Sequence, residues 1–341
     1  MLIVDDTRAG AETDGLEIVN PIGRRRITWA IHDIDGTHSL IRDWQPVMSR
    51  VLYEVIVGGL PPGYDDQSRV EKLSQRVGSE ELPETDRFCV ESAGLSALSQ
   101  MEWAIRRGIE TGTIEIPGRK LAPGERAANA AMIAGIWKGC ERSRGDDAPG
   151  LTVFLTEHAP RLFLFYEKVL NCTSRDRNLA SARRVPEPWR VRGSLAFLSA
   201  LHVAGVKNIF VTGAVVDDHA TTGIREEVMA LGYDIGPERT VEEIRGSQWD
   251  RKMPKAEVLS SLCLERELDP EELLIVGDGR AEIQAGTAMG AVTVSRLPGD
   301  AERARQIHRT LGTNYIISEY RSEELALIMP GITRHWSAAG E

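Results

Sequence analysis

The sequence is poor in the features that would mark a membrane, secreted or nucleic-acid-binding protein. No apolar run approaches the ~20 residues that a membrane-spanning helix needs, and the N-terminal MLIVDDTRAGAETDGLEIVN carries acids where a signal peptide would be basic and then long and apolar. These absences point to a cytosolic protein. Only four cysteines occur, Cys89, Cys140, Cys172 and Cys263, far apart and with no CxxC pair. That spacing suggests neither a zinc site nor a disulfide framework. The seven histidines show no HxH or HExxH spacing, so any bound metal should take oxygen ligands. The formal charge of −10 argues against nucleic acid or an anionic membrane surface as the main partner.

What is present is enough for a globular core. Hydrophobic residues make up 42% of 341, which allows one large domain or two ordinary ones. Residues 27–32 read as a strand, and the two-residue period places Asp33 and Asp35 on one side where it ends. Carboxylates that close repel each other unless a cation or a shared proton intervenes. His32 should face away from Asp33 into the core or onto the sheet face.

From about residue 43 the pattern turns helical. The segment AGLSALSQMEWAIRRGIETG repeats apolar residues at Leu95, Leu98, Met101, Ile105 and Ile109, and residues 124–144 and 157–172 continue the character. Trp103, Trp137, Phe163, Phe165 and Tyr166 should pack this insert, and the arginines at 106, 107, 183, 184, 190 and 192 read as solvated charge. SARRVPEPWRVRG, with two prolines, looks like a boundary.

Beyond it helices and strands alternate: SLAFLSALHVAG, KNIFVTGA, DHATTGIREEVMALG, KAEVLSSLCLERE, EELLIVGDG, AEIQAGTAMG, AVTVSR, then NYIIS and EELALIM. Such alternation predicts a Rossmann-like parallel sheet covered by helices on both faces. The expected organisation is a discontinuous α/β core, residues 1–42 and 188–341, interrupted by a mainly α-helical domain over 43–187. In open sheets of this kind ligands sit at the carboxyl ends of the strands. Three strand ends carry polar residues there: DIDGT at 33–37, VTG with Thr212 and Gly213, and GDGRAE with Asp278 and Glu282; KMPK adds Lys252 and Lys255. Carboxylates, a hydroxyl, an ammonium and backbone amides together suit phosphoryl transfer with a bound Mg²⁺. Singly, each has a plainer reading: a turn, a strand-end hydroxyl, surface lysines, a helix cap.

In this order the motifs resemble the haloacid dehalogenase-like hydrolase superfamily, in particular its phosphoglycolate-phosphatase-like members. The resemblance covers residues 27–43 and about 191–330, and the helical insert stands where that superfamily places a cap. It implies Asp33 as nucleophile, Asp35 as general acid and then base, and Thr212, Gly213 and Lys255 around the phosphoryl oxygens. Mg²⁺ would sit among Asp33, the backbone carbonyl of Asp35, and Asp278, with Glu282 a direct or water-mediated partner. Lys252 is second choice to Lys255, whose segment opens a helix. Members that cleave carbon–halogen or carbon–phosphorus bonds usually lack the second aspartate, so Asp35 favours phosphate esters. Ala281 and Glu282 depart from the usual pattern of the last motif. The implied activity is hydrolysis of a small phosphorylated metabolite, the insert acting as a lid. Transfer to a second hydroxyl is the same-chemistry alternative, and a non-catalytic binding protein the alternative of another class.

Overall fold

The computed structural model describes residues 1–7, 12–13, 15–93, 95–139, 149–216, 223–247 and 254–336. The chain divides into two bodies: residues 1–41, 178–248 and 253–341 in one, and 42–177 in the other.

Among the described residues the first body has ten strands: β1 (Leu2–Asp5), β2 (Glu12–Thr13), β3 (Leu16–Ile18), β4 (Arg24–Ile27), β5 (Trp29–His32), β6 (Lys207–Val215), β7 (Glu243–Ser247), β8 (Leu273–Gly277), β9 (Val292–Arg296) and β10 (Tyr315–Ile317). β1 and β4 form an antiparallel pair; the others form one sheet in the order β2-β3-β10-β9-β8-β5-β6-β7. From β10 to β7 all neighbours are parallel. β8, LLIVG, is buried at every position, as a central strand covered on both faces must be. Helices Ser194–Val203, Lys255–Glu265 and Arg280–Met289 alternate with these strands.

The sheet is therefore mostly parallel, as expected, with one correction. β3 joins β10 antiparallel (Tyr315 opposite Ile18) and β2 joins β3 antiparallel. Two- and three-residue strands in an acid-rich segment leave no periodicity to read. The buried Asp6 carboxylate ties this N-terminal stretch down: it accepts from the amides of Ile22 and Gly23 at 2.8 Å and from the Tyr315 hydroxyl at 2.7 Å.

The second body is helical, with helices Trp44–Gly58, Gln67–Ser74, Pro83–Glu91, Ala97–Thr111, Pro123–Trp137 and Pro149–Leu170. Ser96 caps the fourth, its hydroxyl accepting from Ser99 N, and Gly112 in the left-handed region ends it. Leu98, Met101 and Ile105 are buried along one face, while Leu95 precedes the cap and Ile109 stays half-buried. Trp103, Phe163, Phe165 and Tyr166 pack the interior, and Trp103 stacks on Phe88. Of residues 124–144, the helix takes those to Trp137; 140–144 lie outside the described residues, as does the start of DHATTGIREEVMALG, whose helix is described over Ile224–Ala230.

The return to the first body falls at 177/178, ahead of the expected 187. Leu179 and Ala182 pack there with Ile34, Phe210 and Val228, so the apolar side of helix Asp176–Ala182 finds its partners in the α/β core.

Candidate active site

The sheet changes direction beside β5: the chain runs from β5 to β6 and β7 on one side, then returns to β8, β9 and β10 on the other. Loops at the carboxyl ends of β5, β6 and β8 diverge around that point, leaving a crevice. Register sets what faces it. His32 pairs with Phe210 on β6 and Val276 on β8, so Asp33 stands level with Val211 and Gly277, and Thr212 and Asp278 come one residue later. Asp33 N still donates to Val276 O at 2.9 Å, which holds the residue directly past the end of β5.

Asp33 is buried, and Lys255 Nζ stands 2.7 Å from its Oδ1. The same ammonium is 3.2 Å from Glu282 Oε2. Glu282 Oε1 accepts from Gly279 N at 2.7 Å, closing the first turn of helix Arg280–Met289. Glu282 thus serves as a helix-capping acid and as a partner of the lysine at once. Carboxylate oxygens of Asp33, Asp278 and Glu282 all lie within 4.8 Å of one another. The Asp35 carboxylate is not part of that group, which leaves its backbone carbonyl as the atom it would offer a metal and its side chain for proton exchange. Thr37 Oγ1 reaches Asp278 Oδ1 at 3.5 Å, the outer limit of a hydrogen bond.

Gly36 makes this proximity possible. Its φ of +76° suits glycine, and a Cβ there would stand 2.0 Å from Asp278 Oδ2.

Burial raises the Asp33 carboxyl above its usual range against the pull of Lys255, with Glu282 adding to the rise. Burial also drives Asp278 well up, reinforced by Asp33 and Glu282. Lys255 is pushed up, the attraction of Asp33 and Glu282 outweighing its own burial, so it stays an ammonium. Among the described residues, three carboxylates around one ammonium leave two negative charges in excess. A divalent cation with a preference for oxygen fits that donor set in charge and in ligand type.

Thr212 is buried on β6, and its Oγ1 accepts from Ala214 N at 3.1 Å while the hydroxyl proton remains available to donate. Gly213 follows on the same strand. Lys252 lies outside the described residues. His32 does face away from Asp33. It sits among Phe197, Phe210 and His38, and burial lowers its pKa to about 3. Asn208 Nδ2 donates to Leu198 O and Thr240 O, so its Oδ1 must accept from His32 Nε2 at 3.2 Å. His32 Nδ1 then accepts from His38 Nε2 at 3.2 Å. Both rings are structural struts beneath the Asp33 loop.

Of the arginines read as solvated charge, two are not. Arg106 is fully buried against Glu102 and Asn129, and Arg190 is buried with Nη1 donating to Leu231 O. A guanidinium paired inside the fold gives no signal in composition.

The sequence reading missed His308. Burial holds its pKa down near 4, Nδ1 stands 2.8 Å from Ser295 Oγ, and the ring also bonds the Asp278 backbone. It lies on helix Glu302–Leu311, whose strongly polar composition hid one buried position.

No family model matches the chain, and no curated protein matches it. Among solved structures it is similar to a phosphonoacetaldehyde hydrolase like protein from Oleispira antarctica, with 17% identity, a TM-score of 0.47, and coverage of 90% of this chain and 93% of that one. It is also similar to β-phosphoglucomutase from Clostridium difficile, at 13% identity and a TM-score of 0.44 over 88% and 95% of the two chains. A protein described as a predicted phosphatase from Clostridium acetobutylicum gives 12%, 0.44, 88% and 96%.

Proposed function

We propose that the protein is a phosphoric monoester hydrolase of the haloacid dehalogenase-like type, acting on a small phosphorylated metabolite through an aspartyl-phosphate on Asp33. The observation that supports this most is the Asp33–Lys255–Glu282–Asp278 cluster at the switch point of the sheet, with Asp35 two residues beyond the nucleophile.

Asp33 attacks phosphorus through a carboxylate oxygen, and the bond to the leaving oxygen breaks as Asp35 gives that oxygen a proton. Water then attacks the acyl phosphate, Asp35 takes the water's proton, and inorganic phosphate leaves. Lys255 neutralises charge as it builds on the phosphoryl oxygens, and Thr212 and Gly213 supply a hydroxyl and an amide to them. Mg²⁺ would be held by Asp33, Asp278 and the Asp35 carbonyl. Glu282, both of whose oxygens already have partners, stands as an outer acid. When bound, such a cation supplies charge neutralisation that lets an anionic nucleophile approach an anionic ester.

A phosphate-release screen over phosphorylated metabolites, with and without Mg²⁺, tests the reading. Release that needs the metal and is lost in Asp33→Asn supports it; equal release by wild type and Asp33→Asn rules the mechanism out.

A further inference from the structure

The loop that follows Asp35 is braced from outside in a way the catalytic reading does not use. Its three successive carbonyls each accept from a side chain of a different part of the α/β body. Gly36 O takes Arg296 Nη1 at 2.9 Å, Thr37 O takes the Tyr320 hydroxyl at 3.1 Å, and His38 O takes the Tyr233 hydroxyl at 3.2 Å. From inside, the amides of Thr37, His38 and Ser39 all donate to Ile34 O, and Gly36 N donates to Ser39 O.

Tyr320 is itself rigidly held. Its ring is stacked between His38, at 5.2 Å and 7°, and Phe197, at 4.8 Å and 19°. Tyr320 N donates to Arg192 O at 3.1 Å, and Gly193, at φ +74°, lets Tyr320 O approach so closely that a Cβ would stand 1.9 Å from it. A buried tyrosine hydroxyl needs some partner; here the surrounding packing delivers it to the carbonyl two residues after Asp35. Arg296 is held in turn by Nε donation to Ser318 O at 3.0 Å.

We propose that Tyr320, with Arg296 and Tyr233, is a positioning residue that fixes the Asp35 loop for proton transfer to the leaving oxygen. This rests on the reading of Asp35 as acid and base given above. Burial keeps the Tyr320 hydroxyl protonated far above neutral pH, so the brace is present wherever the protein works.

Tyr320→Phe keeps the stacked ring and deletes one donor. A displaced general acid matters for a poor leaving group, an alkoxide, and little for p-nitrophenolate, which leaves without a proton. The kcat/KM for glycerol 2-phosphate should fall ~10-fold, and that for p-nitrophenyl phosphate less than ~2-fold, since small misplacement of a catalytic group costs one to two orders of magnitude. Arg296→Gln should show the same selective loss. In an Asp35→Ala background Tyr320→Phe should have no further leaving-group effect. Equal losses on both esters, or a loss that persists without Asp35, overturn the positioning role while leaving the hydrolase reading intact. A wild type that releases no more phosphate than Asp33→Asn overturns that reading, and the positioning role with it.

Discussion

Two buried charge clusters, one in each body, differ in how their charges balance. In the helical body Arg106, fully buried, meets Glu102 with Nε and Nη2 at 3.0 and 2.9 Å and Asn129 Oδ1 with Nη1 at 3.1 Å; Asn129 Nδ2 returns a bond to Arg106 O. Among the described residues one cation faces one anion, with a neutral amide beside them. In the α/β body Lys255 faces three carboxylates, and two of them are forced upward in pKa. The first cluster is balanced in formal charge among the described residues. Among the described residues the second is two charges short of neutral, a deficit that burial makes costly unless a dication or an exchanging proton meets it. Balance separates a strut from a site more reliably than burial does, because both clusters are buried.

Four experiments would break or sharpen that contrast. The largest effect expected is on Asp33→Asn, which removes a surplus charge: activity should fall by ~10⁴-fold or more, as loss of a nucleophile does, with no loss in the unfolding midpoint. Arg106→Met should do the reverse. It leaves Glu102 buried without its cation, at a cost of ~3–5 kcal/mol, read by urea denaturation of the helical body, while Mg²⁺ still stabilises the α/β body. Third, Mg²⁺ at ~100 times its Kd should stabilise the α/β body by ~2.7 kcal/mol, and Asp278→Asn should abolish that shift. A metal-induced rise that survives Asp278→Asn would show that the deficit is not what binds the ion.

The effect that is smallest per unit of the variable scanned concerns His32. Its folded pKa near 3 lies below the ordinary 6.5, so between those values the unfolded chain binds a proton that the folded one does not. Stability contributed by the neutral ring is complete above 6.5 and is lost as pH falls toward 3. One such group changes the slope by at most ~1.4 kcal/mol per pH unit. His32→Gln should flatten that part of the pH–stability curve, measured by denaturant titration at fixed ionic strength.

The mostly parallel sheet and the polar strand ends of the candidate site were legible in the sequence, and several elements around them were not. Asp33, Thr212 and Asp278 stand out in the sequence because strands of the parallel sheet are continuous apolar runs, so a polar residue where one ends is visible; Lys255 and Glu282 lie in the first turns of helices. Strands β6, β8 and β9 and the helices between them were legible for the same reason. The N-terminal strands were not, because strands of two to four residues are shorter than any periodicity they could show. Helix Glu302–Leu311 and β7 were missed as well; charged residues dominate the helix, and β7, EIRGS, lies at the sheet edge. The braces on the Asp35 loop were invisible for a different reason. Tyr233, Arg296 and Tyr320 are far from DIDGT in sequence, and only the parallel crossovers bring their donors to consecutive carbonyls. The early return of the chain at 178 follows from Leu179 and Ala182, whose apolar partners are likewise distant in sequence.

The most direct measurement of the central claim is covalent. Protein quenched in acid during turnover of a ³²P-labelled phosphate ester should carry hydroxylamine-sensitive label on the peptide containing Asp33, and Asp33→Asn should carry none. Steady phosphate release by the wild type with no label on that peptide, or label retained in Asp33→Asn, would contradict an aspartyl-phosphate on Asp33.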